Sequence, residues 1–267
     1  MISTRFASLM LATGIALSGS YSTAMAKDAK LSARINVTFA NIGVGRLKSF
    51  VTLRGNAYTV EGNVRSKGIA RMFSGFDATF SAKGVFAGPK LKPSQQYYDY
   101  TENKKSGKQM MRFSGTKVTS LSATPPVKYK SGAVKVTGAH KVNVLDPVST
   151  LVVAVPAGQE NNGRAVCNRT VPVFDGKTRF NLKLAYKSQR QQKTKGFRGS
   201  TYVCSARYQP IAGHRPNRKN VKYMVANKGI EITLARIGKT NKFGVFGFKV
   251  PLREGTVRGR ATRWEVK

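Results

Sequence analysis

The stretch that decides the fold runs from residue 33 to 64: ARINVTF (33–39), ANIGVGR (40–46), LKSFVTLR (47–54), GN (55–56) and AYTVEGNV (57–64). In the first piece Ile35, Val37 and Phe39 alternate with Arg34, Asn36 and Thr38. That period of two is what a half-buried strand requires. Gly43 and Gly45 lead into the next strand, and Gly55-Asn56 reads as a tight turn. In the last piece Tyr58, Val60 and Gly62 share a face. Together these pieces predict an antiparallel meander.

The same pattern continues outward. Residues 76–85, 95–100 and 110–113 read as further strands, with a polar turn at 103–107. Thr124-Pro125-Pro126 breaks the pattern and reads as a linker or the end of an edge strand. Val171–Phe174 and Thr178–Tyr186 flank Asp175-Gly176, a D-G hairpin turn. Residues 202–208 form another strand, and 230–237, 243–252 and 257–266 close the chain as a three-strand meander. One helix is expected: Asp146 suits the N-cap and Pro147 the first helical position, ahead of Val148–Val155. No helical pattern is long enough for parallel βαβ units. The fold class expected is all-β: an antiparallel, strongly curved sheet or incomplete β-barrel with one short helix, in a single domain over residues 27–267.

Residues 1–26 read as a signal peptide. Arg5 is the only charge before Lys27, Phe6 to Gly19 is apolar and small, and Ala24-Met25-Ala26 fits a cleavage site. The apolar core from Phe6 to Leu17 is about 12 residues, against about 20 for a bilayer span. No later run is apolar enough to span. The expectation is therefore an exported, periplasmic protein without a transmembrane segment. In an oxidising compartment Cys167 and Cys204, the only cysteines, are expected to form a disulfide.

Motifs for catalysis are missing. Gly238-Lys239-Thr240 has Thr233 where a phosphate loop needs its first glycine, and Gly176-Lys177-Thr178 has Val171 there. There is no G-x-S-x-G elbow. His140 and His214 are the only imidazoles, and they lack zinc spacing, so neither a metal nor a cofactor is expected. Asp146, Glu160 and Asp175 are the only carboxylates between residues 103 and 230. Asp146 and Asp175 already have structural roles as cap and turn residues. No catalytic residue is assigned.

Charge is the strong signal. Lys and Arg number 47 against 11 Asp and Glu, a formal net charge of +36. Residues 176–230 hold fourteen Lys/Arg and no Asp or Glu. The densest part contains Arg190, Lys193, Lys195 and Arg198, then Arg207, Arg215, Arg218 and Lys219, interleaved with Phe197, Tyr202, Tyr208 and Tyr223. Uncompensated charge repels itself, so an anionic partner is implied. Phosphate and carboxylate suit arginine forks. For an exported protein the nearer partners are envelope anions rather than nucleic acid: lipopolysaccharide phosphates, phospholipid headgroups or peptidoglycan carboxylates.

Several motifs resemble those of an uncharacterised exported proteobacterial family, catalogued as a domain of unknown function. Ile42-Gly43-Val44-Gly45 resembles its opening. Gly88-Pro89-Lys90-Leu91-Lys92-Pro93 followed by Tyr97 resembles its G-x-L-x-P-x-x-Y segment, with one residue more before the Leu and one before the Tyr. Leu145-Asp146-Pro147-Val148-Ser149 is similar to a D-P-x-S helix start, and Val173-Phe174-Asp175-Gly176 to an F-D-G hairpin. Cys204 with Tyr208-Gln209-Pro210-Ile211-Ala212-Gly213-His214 resembles a C-x-x-x-Y-x-P-x-A-G stretch. The resemblance covers residues 30–266. It implies a periplasmic, β-rich protein, similar in build to envelope-integrity proteins with a spiral, partly open barrel and one disulfide; it supplies no catalytic residues.

The functional expectation is a non-enzymatic envelope protein that binds an anionic polymer or lipid headgroups through the basic stretch, with peripheral membrane contact. A curved sheet also allows a lipid or lipoprotein carrier with an apolar cavity. A third alternative, an envelope glycan hydrolase, needs two carboxylates such as Asp146 and Asp175, or a Ser and a His, to converge in one cleft.

Overall fold

Alternation in the first strand is realised directly. Ala29, Leu31, Ala33 and Ile35 are buried, while Lys30, Ser32 and Arg34 face the other way. The computed structural model describes residues 28–267 except 69–70, 72–74 and 104, so the expected signal at 1–26 lies outside the described residues. Seven strands run as successive hairpins: Ala29–Phe39 (β1), Ile42–Arg54 (β2), Ala57–Ser66 (β3), Asp77–Ala87 (β4), Lys90–Glu102 (β5), Lys105–Ser114 (β6) and Lys117–Thr124 (β7). After a crossing segment and the short strand Val152–Ala154 (β8), six more follow: Arg169–Phe174 (β9), Arg179–Thr194 (β10), Phe197–Ala212 (β11), Ile230–Arg236 (β12), Lys242–Leu252 (β13) and Gly255–Val266 (β14).

All strand pairs are antiparallel, in the order β7-β6-β5-β4-β3-β2-β1-β14-β13-β12-β11-β10-β9, with β8 attached to β13. The two meanders are therefore one open sheet, joined where β1 pairs with β14. Leu31 lies opposite Val266 and Phe39 opposite Val257.

The sheet forks at β13. Its residues Gly247–Leu252 pair with β14, while Lys242–Gly244 pair with β8. The C-terminal half of β14 is thus free on that side, and the turn of the β10–β11 hairpin takes the place. Lys195 bridges Arg263, and the Trp264 amide donates to the Lys195 carbonyl at 2.8 Å. Phe197 anchors the turn there, with its ring 5.1 Å from Phe246 and 6.2 Å from Trp264. Such aromatic contacts add to the gain from burial itself.

The sheet's edge strands β7 and β9 do not pair with each other. Residues 143–145 lie between them instead. Val144 N–H donates to the Thr116 carbonyl at 2.9 Å; Leu145 N–H donates to Pro172 at 2.8 Å, and Phe174 N–H donates back to Leu145 at 2.9 Å. Met111, Phe113, Val118, Val144 and Phe174 pack into a small apolar cluster along this seam. The curved, incomplete barrel expected from the sequence is the architecture found.

The expected helix after Pro147 is a correction. Ser149–Leu151 makes one 3-10 turn, and Val152–Ala154 is the fully buried strand β8. Val148 takes the N-cap position of that turn, and Asp146, two residues ahead of it, accepts the Ser149 amide at 2.7 Å. The β-branched pair Val152-Val153 favours extended backbone, and the forked β13 offers an unpaired edge to receive it. Among the described residues, α-helix lies elsewhere, at Gly163–Cys167 (α1), whose Asn162 N-cap accepts the amides of Arg164 and Ala165, and at Lys219–Ala226 (α2).

Cys167 at the end of α1 and Cys204 on β11 form the disulfide, both fully buried in the cluster with Val166, Leu234 and Phe243. The bond closes a loop with a sequence separation of 37, a constraint on the unfolded chain of about 3–4 kcal/mol. Cys204→Ser is expected to lower the urea midpoint of the oxidised protein and to match the wild type in excess reductant. Equal midpoints under oxidising conditions would contradict this role.

Candidate functional site

One face of the sheet carries a cleft of about 930 Å³. Its wall follows from cross-strand register. Leu47 sits opposite Val64, Val64 opposite Ala78, and Ala78 opposite Tyr100. One row along, Gly62 sits opposite Phe80 and Phe80 opposite Tyr98. Registered residues share a face, so Leu47, Val64, Phe80, Tyr98 and Tyr100 form one apolar surface. Gly62 is part of the construction: a Cβ there would lie 2.5 Å from the Phe80 ring, so the ring can cross β3 only over glycine. Burial in this wall pushes the Tyr98 phenol above its ordinary pKa.

The opposite side is made by the end of β7 and the chain that follows it. Ala123 to Lys128, with Lys130, and then Pro147, Val148 and Leu151 line it. Thr124-Pro125-Pro126 ends the edge strand and also lines the cleft. The 3-10 turn is held from below by a buried polar chain. Tyr58 Oη donates to Ser149 Oγ at 2.8 Å, and Ser149 Oγ donates to Asp146 Oδ2 at 2.5 Å. These three side chains are essentially inaccessible. The carboxylate thus fixes the turn that presents Val148 and Leu151 to the cleft.

The exposed residues Lys108, Lys128, Lys130 and Lys177 stand around the apolar lining. Lys108 pairs with Asp99 at 3.6 Å. Among the described residues, Lys128, Lys130 and Lys177 make no ion pair. Gln109 closes one end, donating to the Asp175 carbonyl at 3.0 Å and to Gln96 at 3.3 Å.

The residues singled out from the sequence fall in different places. Arg190, Lys193, Lys195 and Arg198 surround the β10–β11 turn, with Lys193 directly opposite Arg198. Arg207 lies further along β11 and donates to the Asn227 carbonyl at 3.2 Å. Arg215 and Arg218 precede α2, and Lys219 is its first residue. The eight therefore form two groups at opposite ends of β11 rather than one patch. None of them lines the cleft. Lys177, in the same basic stretch, does.

Asp146 and Asp175 are both engaged locally. Asp146 is occupied by Ser149. Asp175 lines the cleft, but its Oδ1 accepts the amides of Lys177 and Thr178, and its Oδ2 accepts the Thr178 hydroxyl. His140 Nδ1 lies 3.1 Å from the Thr137 amide, and neither histidine lines the cleft. Among the described residues no group of three His, Cys, Asp or Glu side chains is placed to hold a metal ion. The sequence offered an apolar cavity only as an alternative, and the residues that line it went unread. The one local sign was Tyr98 and Tyr100 at i, i+2, which look like any other strand face.

A family model described as a protein of unknown function, DUF3108, matches residues 33–250. The chain belongs to that family. The DUF3108 match lies within residues 30–266, over which the sequence motifs resembled an uncharacterised family. Among solved structures, a beta-barrel-like protein of domain of unknown function DUF1849 from Brucella abortus is similar over 90% of this chain and 98% of its own, at 10% identity and a TM-score of 0.49. No curated protein matches the chain.

Burial raises the Asp146 carboxyl above the ordinary carboxylate range; the hydrogen bonds from Ser149 pull the other way and offset part of the shift. A carboxyl with a raised folded pKa contributes its stability in full below the unfolded value of about 4. That contribution is lost as pH rises through the folded pKa, because the unfolded chain ionises first. Asp146→Asn is therefore expected to gain on the wild type in urea midpoint as pH climbs from the ordinary carboxylate range upward. A difference that stays flat with pH would refute a raised Asp146 pKa.

Proposed function

We propose that this is an exported, non-enzymatic binding protein of the cell envelope, whose cleft takes the apolar part of an anionic amphiphile such as a fatty acid or phospholipid. The observation that carries this reading is the pairing of a 930 Å³ apolar cleft with lysines at its margin. That volume lies near the top of the range of about 300–1,000 Å³ typical of small-molecule sites. An apolar wall supplies affinity without direction, while Lys128, Lys130 and Lys177 supply a preference for a carboxylate or phosphate head. The carrier alternative from the sequence thus becomes the primary reading, and it retains the anionic partner.

Export rests on the sequence of residues 1–26 and on Cys167–Cys204, a bond suited to an oxidising compartment. The non-enzymatic reading is supported by the local engagement of Asp146 and Asp175. The two basic groups at the ends of β11 fit a steering role, raising the encounter rate with an anionic surface at low salt.

The test is displacement of a fluorescent fatty acid by palmitate and by hexadecanol, which has the same chain and no charge. Ala123→Trp fills the cleft and is expected to weaken both by about tenfold, roughly 1.4 kcal/mol. Lys128→Gln with Lys130→Gln is expected to weaken palmitate and leave hexadecanol unchanged. Undiminished binding by Ala123→Trp, or failure of either chain to displace the probe, would overturn the reading.

A further inference from the structure

The fork where β13 leaves β14 holds a second, smaller crease of about 160 Å³, lined by Arg190, Lys249, Arg258 and Arg260. It is separate from the apolar cleft and shares no residue with it. We propose that this crease is a phosphate-binding site.

Its geometry follows from register. Lys249 on β13 lies directly opposite Arg258 on β14, and Arg260 lies opposite Gly247. Like charges facing each other across a ladder destabilise it. Arg190 reaches the same crease from the β10–β11 hairpin, which curls over to meet β14 at Lys195 and Arg263. The cations therefore come from three strands that are fixed relative to one another by backbone pairing.

Glu231, opposite Lys249, is the one carboxylate lining the crease. It is already held by Lys187, whose Nζ lies 2.5 Å from its Oε1. That hydrogen bond, with Lys249 and Arg190 adding to it, keeps the carboxyl ionised below its ordinary pKa. One carboxylate thus faces Lys187 and the four lining cations, and a positive surplus remains.

Gly247, Gly259, Phe246 and Phe248 line the crease beside the cations. Gly247, between Arg260 and Thr233 in the ladder, adds no side chain to the crease. A water needs only about 10–15 Å³ on the same measure, so the crease holds a phosphate group but not a long acyl chain. Phosphate offers several acceptor oxygens to guanidinium forks and relieves the Lys249–Arg258 repulsion. The group is either free phosphate or the head of a phospholipid.

The test compares inorganic phosphate, titrated calorimetrically at constant ionic strength, with vesicles of phosphatidylglycerol in phosphatidylcholine. Arg258→Gln with Arg260→Gln is set against Arg46→Gln with Lys48→Gln, which removes the same charge from β2. The first pair is expected to weaken binding by about tenfold or more and the second by less than about twofold, because charge-assisted forks are local. Loss of inorganic phosphate binding in the first pair supports a free-phosphate site. Loss of vesicle binding alone supports a headgroup site. Equal losses in both pairs, or binding of neither phosphate above chloride nor phosphatidylglycerol vesicles above phosphatidylcholine alone, would overturn the proposal. Melting temperatures confirm that the variants fold. Fatty-acid displacement in the cleft reads the carrier function separately, since neither pair touches it.

Discussion

Everything else in this molecule depends on the pairing of its first strand with its last. β1 and β14 share a ladder from Leu31–Val266 to Phe39–Val257. Without it the chain would be two meanders, each with a raw edge at one end. With it, a single sheet runs from β7 to β9, and its twist accumulates across all its strands. Leu31, Ala33 and Ile35 from the start of the chain then share a core with Ala261 and Trp264 from its end.

Curvature creates both sites. The sheet does not close: residues 143–145 fill the space between β7 and β9 with a few backbone hydrogen bonds. The same crossing segment carries Asp146 to Ser149 and delivers the 3-10 turn to the concave face, where it walls the apolar cleft. At the other end, β13 is shared between β14 and β8, which opens a fork that the β10–β11 turn covers. One departure from simple pairing thus frames an apolar space, and another frames a charged one.

The charge imbalance has a structural side as well. Several of the few carboxylates are already employed: Asp146 and Asp175 in turns, Glu231 with Lys187, and Asp99 with Lys108. These contacts use the acids without neutralising most of the surface. The cations left over gather where strands bring them together, as Lys249 and Arg258 are brought together at the fork. In such places a bound anion would lower the energy of the folded protein itself, beyond steering at a distance.

Much of the architecture was legible from local pattern. Alternation at Ile35, Val37 and Phe39 identified a strand and its faces, and Gly55-Asn56 and Asp175-Gly176 identified turns. Asp146 does accept a backbone amide of the turn, but Val148 is its cap and no helix follows, because β8 forms on an edge that exists only after β13 has forked. The basic stretch 176–230 was visible as charge, yet its order along the chain hid its division between the two ends of β11. The lining of the cleft was not visible, since Leu47, Tyr98, Ala123, Leu151 and Lys177 are far apart in sequence. The sequence by itself determined the strands, their faces, the turns and the lone cysteine pair, because each depends on neighbours a few residues away or on simple elimination. Only the tertiary structure decided which strand edges meet, and so where an apolar wall faces lysines and where arginines converge. Period-two alternation says which way a side chain points and nothing about what lies opposite it.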